Sequence, residues 1–126
     1  MSAQESILDQ AKAWMAAYGD DLAAGDRDAI VARYHPEGAW FGMNAAKAFR
    51  SLPDIRARYA SVWQPPTEFR WIGLAYEVAG PDAVVATGQF HWGIEGGSRT
   101  YSYTGLLLRL DGTFRIRIEE ESFVLN

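Results

Sequence analysis

Cysteine is absent from the 126 residues, which excludes a disulfide framework, thiol catalysis and cysteine-bound zinc and fits a reducing compartment. Only two histidines are present, His35 and His91, far apart in the sequence. Their spacing matches no metal site, and no metal or cofactor is expected. No apolar run approaches the ~20 residues of a membrane span, and Met1 to Glu5 lacks the basic and apolar regions of a signal peptide. The expectation is a cytoplasmic protein with no membrane partner. Positive charge is also scarce: the net charge is −4, and the arginines are scattered singly, so no stripe is available to neutralise phosphates. Nucleic acid is not an expected partner. Repeats, low-complexity tracts and linkers are missing too, and residues 1–126 read as one domain whose length needs no staple.

What is plentiful is aromatic side chains: five Trp, six Tyr and six Phe. That exceeds the needs of a core this small and suggests that some rings line a cavity or an interface. The last third of the chain, Ala83 to Val124, predicts three long strands in a meander, turned at Glu95-Gly96-Gly97-Ser98 and at Asp111-Gly112. Upstream, Ser2 and Glu5 have the spacing of a capping box, and Ile7, Leu8, Ala11, Trp14, Met15, Tyr18 and Leu22 follow a helical period to about Ala24. Gly25 and Asp26 end this helix and start a short one carrying Ile30, Val31 and Tyr34. Gly38 to Phe41 reads as a strand, and Met43 to Leu52 has no clear period. Pro53, with Ser51 and Asp54, opens a third helix bearing Ile55, Tyr59 and Val62. Phe69 to Val78 alternates as a strand. The fold class is therefore α+β, with three helices packed on a strongly curved, mostly antiparallel sheet that wraps them into a cone.

Several runs resemble the nuclear-transport-factor-2-like superfamily, in particular the SnoaL-like and ketosteroid-isomerase-like cones. They are Tyr18 with Ala24-Gly25-Asp26, Ala29-Ile30-Val31 with Tyr34, Gly38-Ala39-Trp40, and Ile55-Arg56 with Tyr59-Ala60. The resemblance implies a cone with a small-molecule pocket. It also implies a hydrogen-bonded tyrosine group, with Tyr18 as a pocket donor and Tyr34 and Tyr59 beside it. The isomerases' proton-moving aspartate falls here on Gly42, beside Met43 and Asn44. Their second aspartate, held neutral as an oxyanion donor, falls near Leu106. Steroid isomerisation is accordingly not expected.

Two residues remain as candidates for proton transfer. His91 titrates near neutrality, and counting from the Gly96-Gly97 turn puts it, with Gln89, on the face that lines the cavity in related cones. The apolar Phe90 and Trp92 favour the opposite assignment, since alternation decides the side. In the last strand, strict alternation aligns Glu120 with Phe114, Ile116 and Ile118, where burial would raise its pKa. A wet rim or a bulge that exchanges the faces competes with that placement. Arg117, Glu119 and Glu121 then form an exposed ladder. His35, before Pro36, reads as a turn residue. Trp14, Trp40, Trp63 and Trp71 are placed toward the hollow, where they would bind a small apolar or aromatic ligand or simply fill the core. Tyr101, Tyr103, Phe90 and Trp92 are placed on the convex face as the patch of a sheet-to-sheet homodimer. Two functions stay open. One is a cofactor-free enzyme performing proton transfer, dehydration, cyclisation or water addition; the other is a noncatalytic ligand-binding or dimerisation domain.

Overall fold

The computed structural model describes residues 3–44 and 46–124. Helix α1 (Ala3–Ala24) buries Ile7, Ala11, Trp14, Met15, Tyr18 and Leu22, whose spacing of three and four residues puts them on one face. The Ser2 to Glu5 capping box lies outside the described residues. Gly25, at φ 67°, ends α1, and the Asp26 carboxylate accepts the Ala29 amide at 3.1 Å to open α2 (Arg27–Val31). Ser51 accepts the Asp54 amide at 3.3 Å and caps α3 (Leu52–Ser61).

Six strands follow these helices or separate them: β1 (Ala39–Met43), β2 (Ala46–Arg50), β3 (Phe69–Gly80), β4 (Ala83–Ile94), β5 (Gly97–Leu110) and β6 (Thr113–Phe123). They form one sheet in the order β2-β1-β6-β5-β4-β3, antiparallel except where β1 runs parallel to β6. The strand β2 lies in the stretch read as having no period. As an edge strand with four of its five residues exposed, it has no buried face to impose alternation. The helices pack on the concave side, and the core joins the α1 face to Val84, Ala86, Phe90, Leu107, Phe114 and Ile116 of the sheet.

Two interruptions of the ladder decide which side chains face inward. In β3 the register shifts between Ile72 and Ala75, around Gly73 at φ 59°. In β6, Leu107 pairs with Ile116 while its neighbour Leu106 pairs with Ile118, which leaves Arg117 as an extra residue. Phe114 and Ile116 point into the core, Ile118 turns outward at 40% exposure, and Glu119 is buried at 3%. Strict alternation would have buried Glu120; the bulge buries Glu119 in its place.

The aromatic placement on the sheet is corrected in the same way. Phe90 and Tyr103 are core residues, and Trp92 and Tyr101 pack against that core, so all four face inward and none forms a convex patch. The outer face carries a different apolar row. Phe49 pairs with Trp40, Trp40 with Ile118, Ile118 with Leu106 and Leu106 with Val85, a line that crosses five strands. Phe49, Trp40 and Ile118 are 44%, 48% and 40% exposed.

Gly38 shows how tightly β1 is set. It lies at φ 99°, and a Cβ there would run into the Arg50 carbonyl oxygen. Gly38→Ala should lower stability by about 2 kcal/mol or more in urea denaturation, from unfavourable φ plus the clash. Gly97→Ala, where a Cβ meets nothing within 4 Å, should be nearly neutral.

Candidate functional site

Beneath the aromatic rings of the cone lies a cavity of about 450 Å³. Its walls are largely apolar: Phe41 from β1, Trp63 after α3, Phe69 and Trp71 from β3, Phe90 and Trp92 from β4, and Tyr101 from β5. Trp71 is locked by an indole N–H bond of 2.9 Å to the Met15 carbonyl of α1. The ring can approach because residue 19 is glycine, where a Cβ would stand 2.8 Å from the indole nitrogen. The inner end of the cavity is polar and is built on two carboxylates, Glu119 and Glu121, which the bulge turns inward together.

Glu119 is held by three phenols. Tyr34 donates to Oε1 at 2.6 Å, and Oε2 accepts from Tyr103 at 2.7 Å and from Tyr18 at 2.9 Å. Each phenol has one proton to give. The Tyr18 and Tyr34 protons are therefore committed to Glu119, which leaves their own 3.3 Å contact without a donor, and the 2.8 Å contact between Tyr34 and Tyr59 is a donation from Tyr59. Every phenol proton of the group finds an acceptor when Glu119 is the anion.

Proton affinities follow from this geometry. Burial pushes the Glu119 carboxyl up, and the three phenols pull it back by solvating the anion. Glu121 makes no side-chain hydrogen bond among the described residues. Burial first, and then the neighbouring Glu119 charge, push it up to about 8. Three phenols favour the anion on Glu119 and no described side chain donates to Glu121, so of the two Glu119 gives up its proton first. Tyr18, Tyr34, Tyr59 and Tyr103 are all raised, by burial first and then by the Glu119 charge. They act as neutral donors.

The residues singled out from sequence divide into three groups. Tyr18, Tyr59, Trp63 and Trp71 line the cavity. Tyr34 stands behind Glu119 as one of its donors, and Trp14 is packed in the core with the Arg33 guanidinium 5.0 Å over its ring. His91, Gln89, Trp40, Leu106 and Glu120 are turned to the other side of the sheet. Phe90, Trp92, Leu107, Phe41 and Glu119, their neighbours along the strands, take the inward positions. His91 Nε2 sits 3.7 Å from Glu68, and Glu120 sits 3.7 Å from Lys47. His35 is a turn residue as expected: its Nδ1 accepts the Glu37 amide at 3.0 Å. Glu119 and Glu121, taken as an exposed ladder, are the acids of the site. The signal for them was the run of three glutamates, since any register buries at least one member.

An apolar cavity closed at its inner end by a phenol-held carboxylate lies within a curved sheet with three helical covers, and that architecture is the nuclear-transport-factor-2-like fold. The model of the SnoaL-like domain matches residues 11–125, and the chain belongs to that family. No curated protein matches the sequence. Among solved structures, a nuclear-transport-factor-2-like protein of unknown function from Shewanella oneidensis superposes with a TM-score of 0.81 at 16% identity, covering 91% of this chain and 98% of its own. A candidate dehydratase of the same class from Streptomyces avermitilis gives 0.74 at 12%, covering 97% and 99%. A candidate ketosteroid isomerase from Parabacteroides distasonis gives 0.71 at 20%, covering 83% and 80%. Identities this low establish the shared fold. No helix among the described residues is long and apolar enough to cross a membrane, and no cluster of three metal-ligating side chains occurs among them.

The raised Glu121 pKa has a measurable consequence. A carboxyl that holds its proton more tightly in the folded state than its ordinary value of 4.5 adds stability below that value, and the contribution is lost as pH rises toward about 8. Thermal stability should fall between pH 5 and pH 9. Glu121→Gln should flatten that fall and be more stable than the parent at pH 9 by about 2–4 kcal/mol, allowing for partial exposure to the cavity. An unchanged profile in the variant would show that Glu121 titrates normally.

Proposed function

We propose that the protein is a cofactor-free enzyme that removes water from a small, ring-bearing hydroxy compound, with Glu121 as the group that moves the proton. The observation that carries this reading is the pairing at the inner end of the cavity: a Glu119 carboxylate fixed by three phenols beside a Glu121 carboxyl with no hydrogen-bond partner among the described residues. A neutral acid in an apolar site can give its proton to a departing hydroxyl. The C–O bond breaks, water leaves, and the Glu121 carboxylate takes a proton from the adjacent carbon as the double bond forms. Glu121 ends protonated, ready for the next cycle. Glu119 is a poor base because three phenols solvate it; its charge keeps the Glu121 proton in place and stabilises cationic character developing next to it. Tyr18, Tyr34 and Tyr103 position Glu119, and Trp63, Trp71 and Trp92 enclose the ring.

3-Hydroxy-1-tetralone, which loses water to give 1-naphthol, tests this. The protein should form naphthol above the buffer rate, with activity declining as pH rises through about 8, where Glu121 loses its proton. Glu121→Gln should cut the rate by about 100-fold or more while ring binding, read by tryptophan quenching, is kept. Saturable binding without turnover across related hydroxy ketones would favour a noncatalytic binding domain instead.

We also propose that two copies join through the outer faces of their sheets, with the row Phe49, Trp40, Ile118, Leu106 and Val85 as the contact. An apolar line of this length on the outer sheet face, with Phe49, Trp40 and Ile118 exposed, suits a self-complementary two-fold contact. Light scattering at micromolar concentration should show a dimer, and the double variant Trp40→Glu with Ile118→Glu should be a folded monomer.

A further inference from the structure

The cavity wall carries a feature that proton transfer at its inner end does not use. Arg50, the last residue of β2, and Arg58, on α3, both line the cavity, and neither is ion-paired among the described residues. The third basic lining residue, Lys47, has Glu120 at 3.7 Å. Among the described residues only Arg33, Arg70 and Arg109 of the ten arginines are matched by a carboxylate, so it is their place on the cavity wall that sets Arg50 and Arg58 apart. Pairing with Ala39, which is fully buried, aims Arg50 to the inner side of the sheet. Arg58 is near enough to Tyr59 to favour negative charge on its hydroxyl, which puts positive potential on the α3 wall. The two acids of the cavity belong to β6, whereas both arginines belong to β2 and α3, which are joined directly through Ser51.

A pocket with an apolar middle, a proton donor on one strand and uncompensated guanidinium groups on another wall is complementary to a molecule with two different ends. Guanidinium groups match carboxylates in charge and in donor geometry, and a cleft with apolar walls focuses their field. We propose that the ligand is an amphipathic carboxylate. Its aromatic or alicyclic body lies among Trp63, Trp71 and Trp92, an oxygen acceptor meets Glu121, and a carboxylate is held by Arg50 and Arg58. The acceptor end rests on the reading of Glu121 as the proton donor; the carboxylate end stands independently of it.

Three probes separate the two ends: 6-acetyl-2-naphthoate, its carboxamide 6-acetyl-2-naphthamide, and 6-isopropyl-2-naphthoate, which lacks the ketone. Binding is read by calorimetry at pH 7 and low salt. The acetyl naphthoate should bind about tenfold or more tightly than the carboxamide, with a preference that shrinks as salt is raised. The double variant Arg50→Gln with Arg58→Gln, which removes no ion pair among the described residues, should bind the two equally. Equal binding of acid and amide by the parent protein, or a preference that survives in the double variant, would overturn the assignment of the carboxylate end. Failure to bind any of the three probes would overturn it as well. The ketone should strengthen binding over the isopropyl analogue, and Glu121→Gln should lessen that gain. Failure of this arm alone counts against the proton-donor reading and leaves the arginine assignment standing.

Discussion

Everything distinctive in this molecule depends on one buried anion and the hydroxyls that solvate it. An isolated carboxylate in an apolar interior costs several kcal/mol, and three phenols at 2.6 to 2.9 Å supply what water would have given. The donors come from α1, from the bridge after α2 that meets Ile116, and from β5, so the anion also ties the helical cover to the sheet. The same contacts set the chemistry. Because Glu119 receives the nearby phenol protons, the second acid, Glu121, has no donor among the described residues, and burial beside the Glu119 charge raises its proton affinity.

This arrangement requires a defect in the ladder. The extra residue Arg117 bends β6, sends Ile118 to the outer face and brings Glu119 and Glu121 inward. Arg117 itself is held, donating to the Gly38 carbonyl at 2.8 Å with its guanidinium 5.4 Å from the Phe49 ring. The single shift accounts both for the acidic inner end of the cavity and for the apolar row outside. Site and proposed dimer face are two consequences of one bulge.

The rings around the cavity serve the acids as well as the proposed ligand. Trp71, Phe90 and Tyr103 pack edge to face in a continuous cluster. A wall of this kind keeps water scarce at the carboxylates and so preserves the low dielectric that holds the Glu121 proton. The substrate class proposed for the cavity follows from the same contrast between an apolar middle and two polar ends.

Local sequence was sufficient for the three helices, the four long strands and their turns, because capping residues, Asp-Gly and Gly-Gly turns and the spacing of apolar side chains act over a few residues. It also named Tyr18, Tyr59, Trp63 and Trp71, all of which line the cavity, through helical and strand periods and a family likeness. The edge strand β2 left no such trace, since a strand with no buried face need not alternate. The side taken by His91, Gln89, Leu106 and Glu120 was decided only in the assembled sheet. A strand's period is two residues, so one inserted residue in β6 exchanges every later position between pocket and surface, and on β4 and β5 both faces carry apolar side chains. Which of three consecutive glutamates becomes the buried anion is a matter of where three tyrosines from distant parts of the chain meet, and that is fixed by packing.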